Sequence, residues 1–113
     1  MCGIGGLIDY RRDARAFGAA ASGMKRVLAP RGPDAEDDYR DPDALLVHRR
    51  LIVIDPDGGA QPMYSPDRNT VLIYNGELYN TDELRHDLSL RGHHFSGHSD
   101  TEVLLHAYLE WGT

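Results

Sequence analysis

The chain has 113 residues, of which 41% are hydrophobic and 27% are charged, so it is long enough to form one domain with a buried core. Its net charge of −6 argues against nucleic acid or an anionic membrane as a partner, because both attract basic surfaces. A single cysteine excludes an internal disulfide, and the sequence shows neither a signal peptide nor the roughly 18 apolar residues of a spanning helix. We therefore expect a cytoplasmic protein.

The first third of the chain predicts one strand and one helix. Residues 2–10, CGIGGLIDY, predict a short strand, in which the glycines indicate a bulge or a close approach by another backbone or a ligand. Apolar residues at helical spacing predict a helix over residues 13–28, which Pro30 stops. The sequence RGPD at residues 31–34 is typical of a loop, and the acidic residues that follow it are expected to be exposed.

The middle of the chain predicts further strands. Residues 44–55, ALLVHRRLIVID, predict two strands with an irregular break at the polar residues 48–50. Residues 56–68 are rich in glycine, proline and aspartate and predict a long loop. Residues 70–74, TVLIY, predict a buried strand that leads into Asn75-Gly76.

Two helices are predicted in the remainder. Asn80 or Thr81 opens a short helix that Gly92 closes. Ser99 and Glu102 match the capping-box pattern at the start of a second helix, with Val103, Leu104, Ala107, Tyr108 and Trp111 on its apolar face. The apolar face and the small number of strands predict that residues 1–113 are part of a larger domain.

Cys2 is the first candidate for chemistry. Removal of Met1 would place a thiol, with a pKa near 8.5, and an α-amino group, with a pKa near 8, on the same residue. The amine can then accept the proton of the thiol, which is the arrangement of an N-terminal nucleophile. From position alone, a chance cysteine after the start codon is the simpler interpretation.

Asn75-Gly76 has two interpretations. Between β-prone runs, Asn-Gly is a strong hairpin pattern. Alternatively, the Asn75 amide and the Gly76 N–H converge on one oxygen as an oxyanion hole. The hairpin is the simpler interpretation from this dipeptide alone.

Arg50 and Asp100 are candidates for binding charged groups. The Arg50 guanidinium can hold a carboxylate with two hydrogen bonds. The Asp100 carboxylate either balances the dipole of the following helix or pairs with an ammonium group. Together the two side chains can hold an α-amino acid at both ends.

Other sites are disfavoured. The glycines after Cys2 do not form a dinucleotide fingerprint, because Ile8 stands where the third glycine is required. The cluster of His93, His94, His98 and Asp100 lacks cysteine partners and compact spacing, so a solvated loop is favoured over a metal site.

The segments MCGIGG, RGPD, HRRLIVID, GAQPM, YNGELYN and SDTEVLLHAYLEWG, in this order, resemble the glutaminase domain of class II (N-terminal-nucleophile) glutamine amidotransferases. The sequences of these segments are most similar to those of glutamine-dependent asparagine synthetases, and the resemblance covers the whole chain. It implies an α+β fold, a four-layer α/β/β/α sandwich of antiparallel sheets, of which residues 1–113 are the N-terminal part.

The resemblance also implies a set of site residues. Cys2 would be the nucleophile, with its own α-amino group as base and acid, and Arg31 would support the site from a nearby loop. Asn75 and Gly76 would form the oxyanion hole, while Arg50 and Asp100 would bind the α-carboxylate and α-amino groups of L-glutamine. The backbone of further residues would line the pocket: Leu51, Ile52, Val53, Ile54 and Glu77. No metal site is implied.

The implied reaction is hydrolysis of glutamine to glutamate and ammonia through a γ-glutamyl thioester. The ammonia would serve ATP-dependent amidation of aspartate in a synthetase domain outside these residues, with ATP and Mg²⁺ required there and no cofactor required here. The sequence does not determine the oligomeric state, and a homodimer is one of the alternatives. Alternatives are an amidotransferase for another acceptor carboxylate and a non-catalytic glutamine-binding or regulatory module.

Overall fold

The computed structural model describes residues 1–52 and 58–113, which form an α+β arrangement with two antiparallel sheets. In chain order the elements are β1 (Gly3–Ile8), a 3-10 helix (Ala14–Ala16), α1 (Gly18–Leu28), β2 (Ala35–Arg40), β3 (Ala44–Arg50), β4 (Met63–Tyr64), β5 (Val71–Leu72), α2 (Thr81–Leu90) and α3 (Asp100–Trp111). The predicted first helix is therefore divided at Phe17 into a 3-10 turn and α1.

The larger sheet has the order β1-β3-β2, with β3 paired antiparallel on both sides. Leu45 and Val47 of β3 are fully buried and form the core with Ala14 and Ala21. Several partly buried apolar residues pack around them: Leu7, Phe17, Ala20, Met24 and Leu28. Alternation along β3 therefore turns one face of the sheet toward α1.

The glycines of β1 make room for α1. A Cβ atom at Gly3 would lie 3.1 Å from Leu28, and one at Gly5 would lie 3.3 Å from the Met24 sulfur. The sequence predicted a close approach at the glycines of this strand. At Gly3 and Gly5 the approaching atoms are helix side chains, whereas at Gly6 a Cβ atom would lie 3.1 Å from the Leu45 backbone oxygen. Gly3 and Gly5 therefore serve packing of the helix on the sheet, and Gly6 serves the close approach of β3.

The predicted break at residues 48–50 is wrong. β3 runs without interruption to Arg50, because the antiparallel register places Arg49 beside Glu36 of β2, and these two side chains form an ion pair. The acidic stretch is mostly exposed, as expected, and part of it forms β2. Its carboxylates suit an edge strand, because charged side chains oppose pairing with another chain.

The second sheet is a small hairpin in which Met63 pairs with Leu72 and Tyr64 with Val71. Thus the loop predicted over residues 56–68 contains β4, and the strand predicted over residues 70–74 is reduced to β5. Ser65, which is 2% exposed, closes the turn, since its hydroxyl accepts a hydrogen bond from the Thr70 N–H at 3.0 Å. The predicted second strand over residues 51–55 is not present at residues 51–52, and residues 53–55 lie outside the described residues.

Both later helices begin where they were predicted. Asn80 precedes α2, and Gly92 follows it with a φ of 96°, in the left-handed region that favours glycine. Ser99 caps α3, because its Oγ accepts a hydrogen bond from the Glu102 N–H at 3.2 Å.

The apolar face predicted for α3 is wrong in part. Val103 is buried, but Tyr108 and Trp111 are 48% and 45% exposed, and Leu104 and Ala107 are only half-buried. The buried face instead contains Glu102, Leu105 and His106, among others. Polar side chains are buried there because they have partners. The Glu102 carboxylate accepts from the N–H groups of Ser96 and Gly97, and the His106 ring contacts His93.

Within residues 1–52 and 58–113, no helix combines the length and the apolar character required to cross a membrane.

Candidate functional site

A cleft of about 420 Å³ lies where the end of β3, the segment after β5 and the start of α3 meet. Most of the predicted site residues line this one cleft: Cys2, Arg50, Leu51, Asn75, Gly76, Glu77 and Asp100. A larger cavity, of about 650 Å³, contains none of them and is lined by residues such as His94 and Glu102. We take the smaller cleft as the candidate site because it gathers the reactive and charged groups.

Cys2 reaches the cleft through strand pairing. Gly3 of β1 is opposite Arg49 of β3, so Cys2 lies beside the end of β3. The Cys2 Sγ accepts a hydrogen bond from the Leu51 N–H at 3.4 Å, and its thiol is 3.7 Å from the Leu51 carbonyl oxygen. The thiol therefore lies against the backbone at the edge of the cleft.

The loop with the sequence RGPD holds the end of β3 and the Cys2 backbone. Arg31 Nε donates to the Cys2 carbonyl oxygen at 3.3 Å. The Asp34 N–H donates to the Arg50 carbonyl oxygen at 2.9 Å, and the Asp34 carboxylate accepts from the Ile52 N–H at 2.8 Å. This loop therefore holds the Cys2 backbone and the residues on either side of Leu51, and Arg31 contacts Cys2 as a supporting residue would.

Gly32 permits this close packing. A Cβ atom at this buried position would lie 2.3 Å from the Arg49 carbonyl carbon and 2.5 Å from the Arg50 nitrogen. Real Cβ atoms do not approach backbone atoms this closely, so only glycine fits without displacing the end of β3.

Charges of both signs line the cleft, because Arg50 is positive and Asp100 and Glu77 are negative. Arg50 is largely buried, at 7% exposure, and its guanidinium supplies a positive charge at the cleft. Asp100 is the first residue of α3, and its carboxylate accepts a hydrogen bond from the Leu78 N–H at 3.1 Å. A ligand that carries both an anionic and a cationic group would find a partner for each in this cleft.

Asn75-Gly76 is not the turn of a hairpin. β5 ends at Leu72 and is followed by α2, and Gly76 does not have the positive φ that a two-residue hairpin turn needs. A Cβ atom at this position would lie 2.7 Å from the Tyr74 hydroxyl, so a larger residue would require the Tyr74 side chain to shift. Both residues of the dipeptide line the cleft.

Tyr74, directly before this dipeptide, is held by two side chains. Its N–H donates to Gln61 Oε1 at 2.6 Å, and its carbonyl oxygen accepts from His48 Nε2 at 3.3 Å. Burial lowers the pKa of His48, and the nearby positive charge of Arg50 lowers that pKa further. His48 is therefore neutral at neutral pH, with one ring nitrogen donating to Tyr74.

The Tyr74 phenol also has a shifted pKa. Burial raises it, and the carboxylates of Asp100 and Glu77 add to the increase because they disfavour a further negative charge. The hydroxyl thus stays protonated at neutral pH and can act as a hydrogen-bond donor at the cleft.

The structure leaves some predicted residues away from the site. Ile52 does not line the cleft, and its N–H is occupied by Asp34. Val53 and Ile54 lie outside the described residues.

Sequence reasoning missed several lining residues, among them Gln61, Tyr74, Tyr79 and Thr101. All four belong to segments on which the resemblance was based, GAQPM, YNGELYN and SDTEVLL, but no charge or nucleophile marks them as site residues.

In the part of the chain that the structure describes, no group of three or more His, Cys, Asp or Glu residues is arranged to hold a metal ion. Of the histidine cluster considered above, His93 contacts His106 and Glu110, each at 2.8 Å.

Comparison with known proteins agrees with the resemblance. A family model described as "Glutamine amidotransferase domain" matches residues 1–113. The chain is 46% identical over 114 residues to "Asparagine synthetase [glutamine-hydrolyzing] 3" of Bacillus subtilis (strain 168), covering 98% of this chain and 18% of that protein. It is 41% identical to "Asparagine synthetase [glutamine-hydrolyzing] 1" of Arabidopsis thaliana, covering 99% and 19%. It is 39% identical to "Asparagine synthetase B [glutamine-hydrolyzing]" of Escherichia coli (strain K12), covering 99% and 20%. The chain thus spans 18–20% of the length of these relatives.

Proposed function

Since this chain belongs to the glutamine amidotransferase domain family, we propose that it is the glutaminase part of an asparagine synthetase and hydrolyses L-glutamine to glutamate and ammonia. The observation that carries the proposal is the meeting of Cys2, Asn75-Gly76, Arg50 and Asp100 in one cleft. These residues come from four separate parts of the chain, and they supply a nucleophile, hydrogen-bond donors and two opposite charges.

Binding of glutamine follows from the two charges. The Arg50 guanidinium holds the α-carboxylate, and the Asp100 carboxylate holds the α-ammonium group. The side chain of the substrate then extends toward Cys2, with the Leu51 and Glu77 backbone beside it. Fixing both ends of the amino acid brings the carboxamide to the thiol in a defined orientation.

The chemical step begins with Cys2 as the N-terminal residue, so Met1 must first be removed. The free α-amino group takes the proton from the thiol, and the sulfur forms a bond to the carboxamide carbon. Negative charge develops on the amide oxygen, where the Asn75 side-chain NH₂ and the Gly76 N–H donate hydrogen bonds. The α-ammonium group then protonates the leaving nitrogen, the carbon–nitrogen bond breaks, and ammonia departs from a γ-glutamyl thioester.

Water completes the reaction. The α-amino group, again neutral, accepts a proton from water as its oxygen attacks the thioester carbon, and the carbon–sulfur bond breaks. Glutamate leaves, and the proton returns to the thiol. The residues of this chain thus carry out acyl transfer without a metal or cofactor of their own.

The destination of the ammonia belongs to the same proposal. In an asparagine synthetase it would amidate aspartate in a synthetase domain, with ATP and Mg²⁺ bound there, and we assign no residue of this chain to either. The relatives' names support aspartate as the acceptor over another carboxylate. We also propose the four-layer sandwich as the complete fold and the cytoplasm as the location.

The proposal is tested with a glutamine analogue that carries a diazoketone electrophile. The protein, expressed at its natural length and free of Met1, should be labelled at Cys2 and should release ammonia from glutamine. Cys2→Ala should lose both labelling and turnover, because the thiol is the group that bonds to the analogue. Intact mass and peptide mapping identify the labelled residue.

A matched variant separates the α-amino group from the thiol. An uncleavable extension before Cys2 keeps the thiol but converts its amine to an amide, which cannot accept the proton. Glutamine turnover should then be lost. Full turnover with the extension in place would rule out the α-amino group as the base, and no labelling of the processed wild-type protein would rule out the proposed function.

A further inference from the structure

We propose that Gln61 is a positioning residue for the oxyanion turn, defined as residues 74–78, and that it ties this turn to the start of α3. The inference rests on the proposed function, because it concerns the geometry in which Asn75 and Gly76 donate hydrogen bonds. Gln61 carries no charge and would not act on substrate as an acid, base or nucleophile.

Two hydrogen bonds define the role. Gln61 Oε1 accepts from the Tyr74 N–H at 2.6 Å, and Gln61 Nε2 donates to Thr101 Oγ1 at 3.2 Å. The Tyr74 N–H can only donate, so it must face the amide oxygen, and the amide nitrogen is then directed to Thr101. One side chain therefore bridges the residue before Asn75 and the residue after Asp100.

The bridge compensates for missing strand pairing. Tyr74 lies beyond the end of β5, and its N–H and carbonyl groups are held by Gln61 and His48. At the far end of the turn, the Leu78 N–H is held by Asp100. The oxyanion turn is thus attached to β3 through His48 and to α3 through both Gln61 and Asp100.

The segment that carries Gln61 is placed to hold it in this direction. Residues 58, 60 and 62 line the larger cavity, while residues 59 and 61 line the candidate site. Ser99, the cap of α3, also donates to the Gly58 carbonyl oxygen at 3.5 Å. The segment therefore contacts the start of α3 at two points, through Ser99 and Thr101.

The functional consequence concerns the transition state more than binding. Arg50 and Asp100 hold the ends of the substrate, and neither contributes to the Gln61 bridge. If the bridge is lost, the Asn75 and Gly76 donors shift relative to the sulfur, and a displacement of about 1 Å can cost on the order of a hundredfold in rate. A lower kcat with little change in KM is the expected signature.

The variant Gln61→Met tests this, because methionine has a similar length without the two polar groups. In the protein at its natural length, we expect kcat for glutamine hydrolysis to fall about tenfold to a hundredfold. We expect KM to change less than about threefold, since binding energy common to ground and transition states is kept. The Tyr74 amide should also lose protection in hydrogen exchange, a readout that does not depend on activity.

A double-mutant cycle tests the bridge itself. Thr101→Val removes the hydroxyl that receives the Gln61 hydrogen bond and should lower kcat by a smaller factor. Combined with Gln61→Met it should add almost nothing, because the two residues act through one bond. Ser65→Ala is the stability control, since it removes two hydrogen bonds of a buried hydroxyl in the β4–β5 turn, away from the cleft, and should leave kcat and KM unchanged.

Several results would overturn the inference. These are an unchanged kcat in Gln61→Met, a raised KM alone, additive effects of the two substitutions, or a kcat loss in Ser65→Ala as large as that in Gln61→Met. Each of them leaves wild-type turnover intact and so leaves the proposed function standing. Absence of turnover in the processed wild-type protein would instead overturn the proposed function and this inference with it.

Discussion

In the proposed reaction, Arg50 and Asn75 differ in when their contacts with substrate would matter. Arg50 is buried at the edge of the cleft and would meet a charge that is the same in the ground state and the transition state. The Asn75 amide would face an oxygen that becomes negative only during the reaction. The two residues should therefore affect different kinetic constants.

Asn75→Ala should lower kcat by about 10²- to 10³-fold, the usual effect of losing one oxyanion donor. KM should change little, because the donor strengthens its bond only in the transition state. Steady-state ammonia release over a range of glutamine concentrations measures both constants. Equal losses in turnover and in binding would show that Asn75 is only a turn residue.

Arg50→Lys is the complementary variant, because it keeps the positive charge but loses the planar pair of donors. KM for glutamine should rise about tenfold or more, with a smaller effect on kcat, as one bidentate pairing is lost. An unchanged apparent affinity would remove Arg50 from the pocket.

At the scale of elements, the loop between α1 and β2 determines where the end of β3 lies. Gly32→Ala places a methyl group within 2.3 Å of the Arg49 backbone, so the loop and the strand must separate. We expect a loss of about 1–3 kcal/mol in the free energy of unfolding, typical of overpacking. We also expect reduced kcat/KM, because Arg50 ends the displaced strand and Arg31 of the displaced loop holds the Cys2 backbone.

Gly23→Ala is the matched control, since a Cβ atom there meets no atom within 4 Å in the middle of α1. It should stabilise the protein by about 0.5–1 kcal/mol, because alanine favours the helix. Urea unfolding compares the two variants. Similar stability of Gly32→Ala and the wild type would mean that the loop moves away from β3 without lowering the free energy of unfolding.

The elements also show where sequence patterns are informative. Capping residues and closing glycines act through local hydrogen bonds and backbone angles, so the start of α3 and the end of α2 were predicted. The start of α2 was predicted too, although Asn80 makes no side-chain capping hydrogen bond there. The buried face of α3 was missed because Glu102 and His106 are buried with partners from the loop before the helix, which hydropathy does not register. The break predicted in β3 failed for the same reason, since Arg49 pairs with Glu36 across the sheet.

At the scale of the whole molecule, two buried histidines should make stability depend on pH. Burial lowers the pKa of His48 and of His106, so both are neutral in the folded protein, while in the unfolded chain they titrate near pH 6.5. Their contribution to the free energy of unfolding is complete above that pH. As the pH falls below it, the unfolded chain binds protons first, and the free energy of unfolding decreases by at most about 1.4 kcal/mol per pH unit for each histidine.

His48→Gln isolates one of these histidines, because glutamine keeps a donor for the Tyr74 carbonyl oxygen but does not titrate. Urea unfolding at several pH values between about 7.5 and 5.5 should show a shallower decrease in stability for the variant than for the wild type. Equal slopes would show that His48 takes up no extra proton on unfolding.

The sequence by itself determined the chemistry available to this protein: one thiol at position 2, the Asn-Gly dipeptide, the ionic residues Arg50 and Asp100, and the local signals that begin and end the helices. Only the tertiary structure decided that these groups share one cleft, because antiparallel pairing of β1 with β3 brings Cys2 beside Arg50. It also placed Gln61 and His48 in hydrogen-bond contact with the Tyr74 backbone, directly before the Asn-Gly dipeptide. Their roles depend on hydrogen bonds between residues distant in the chain, and such contacts leave no periodic pattern in the sequence.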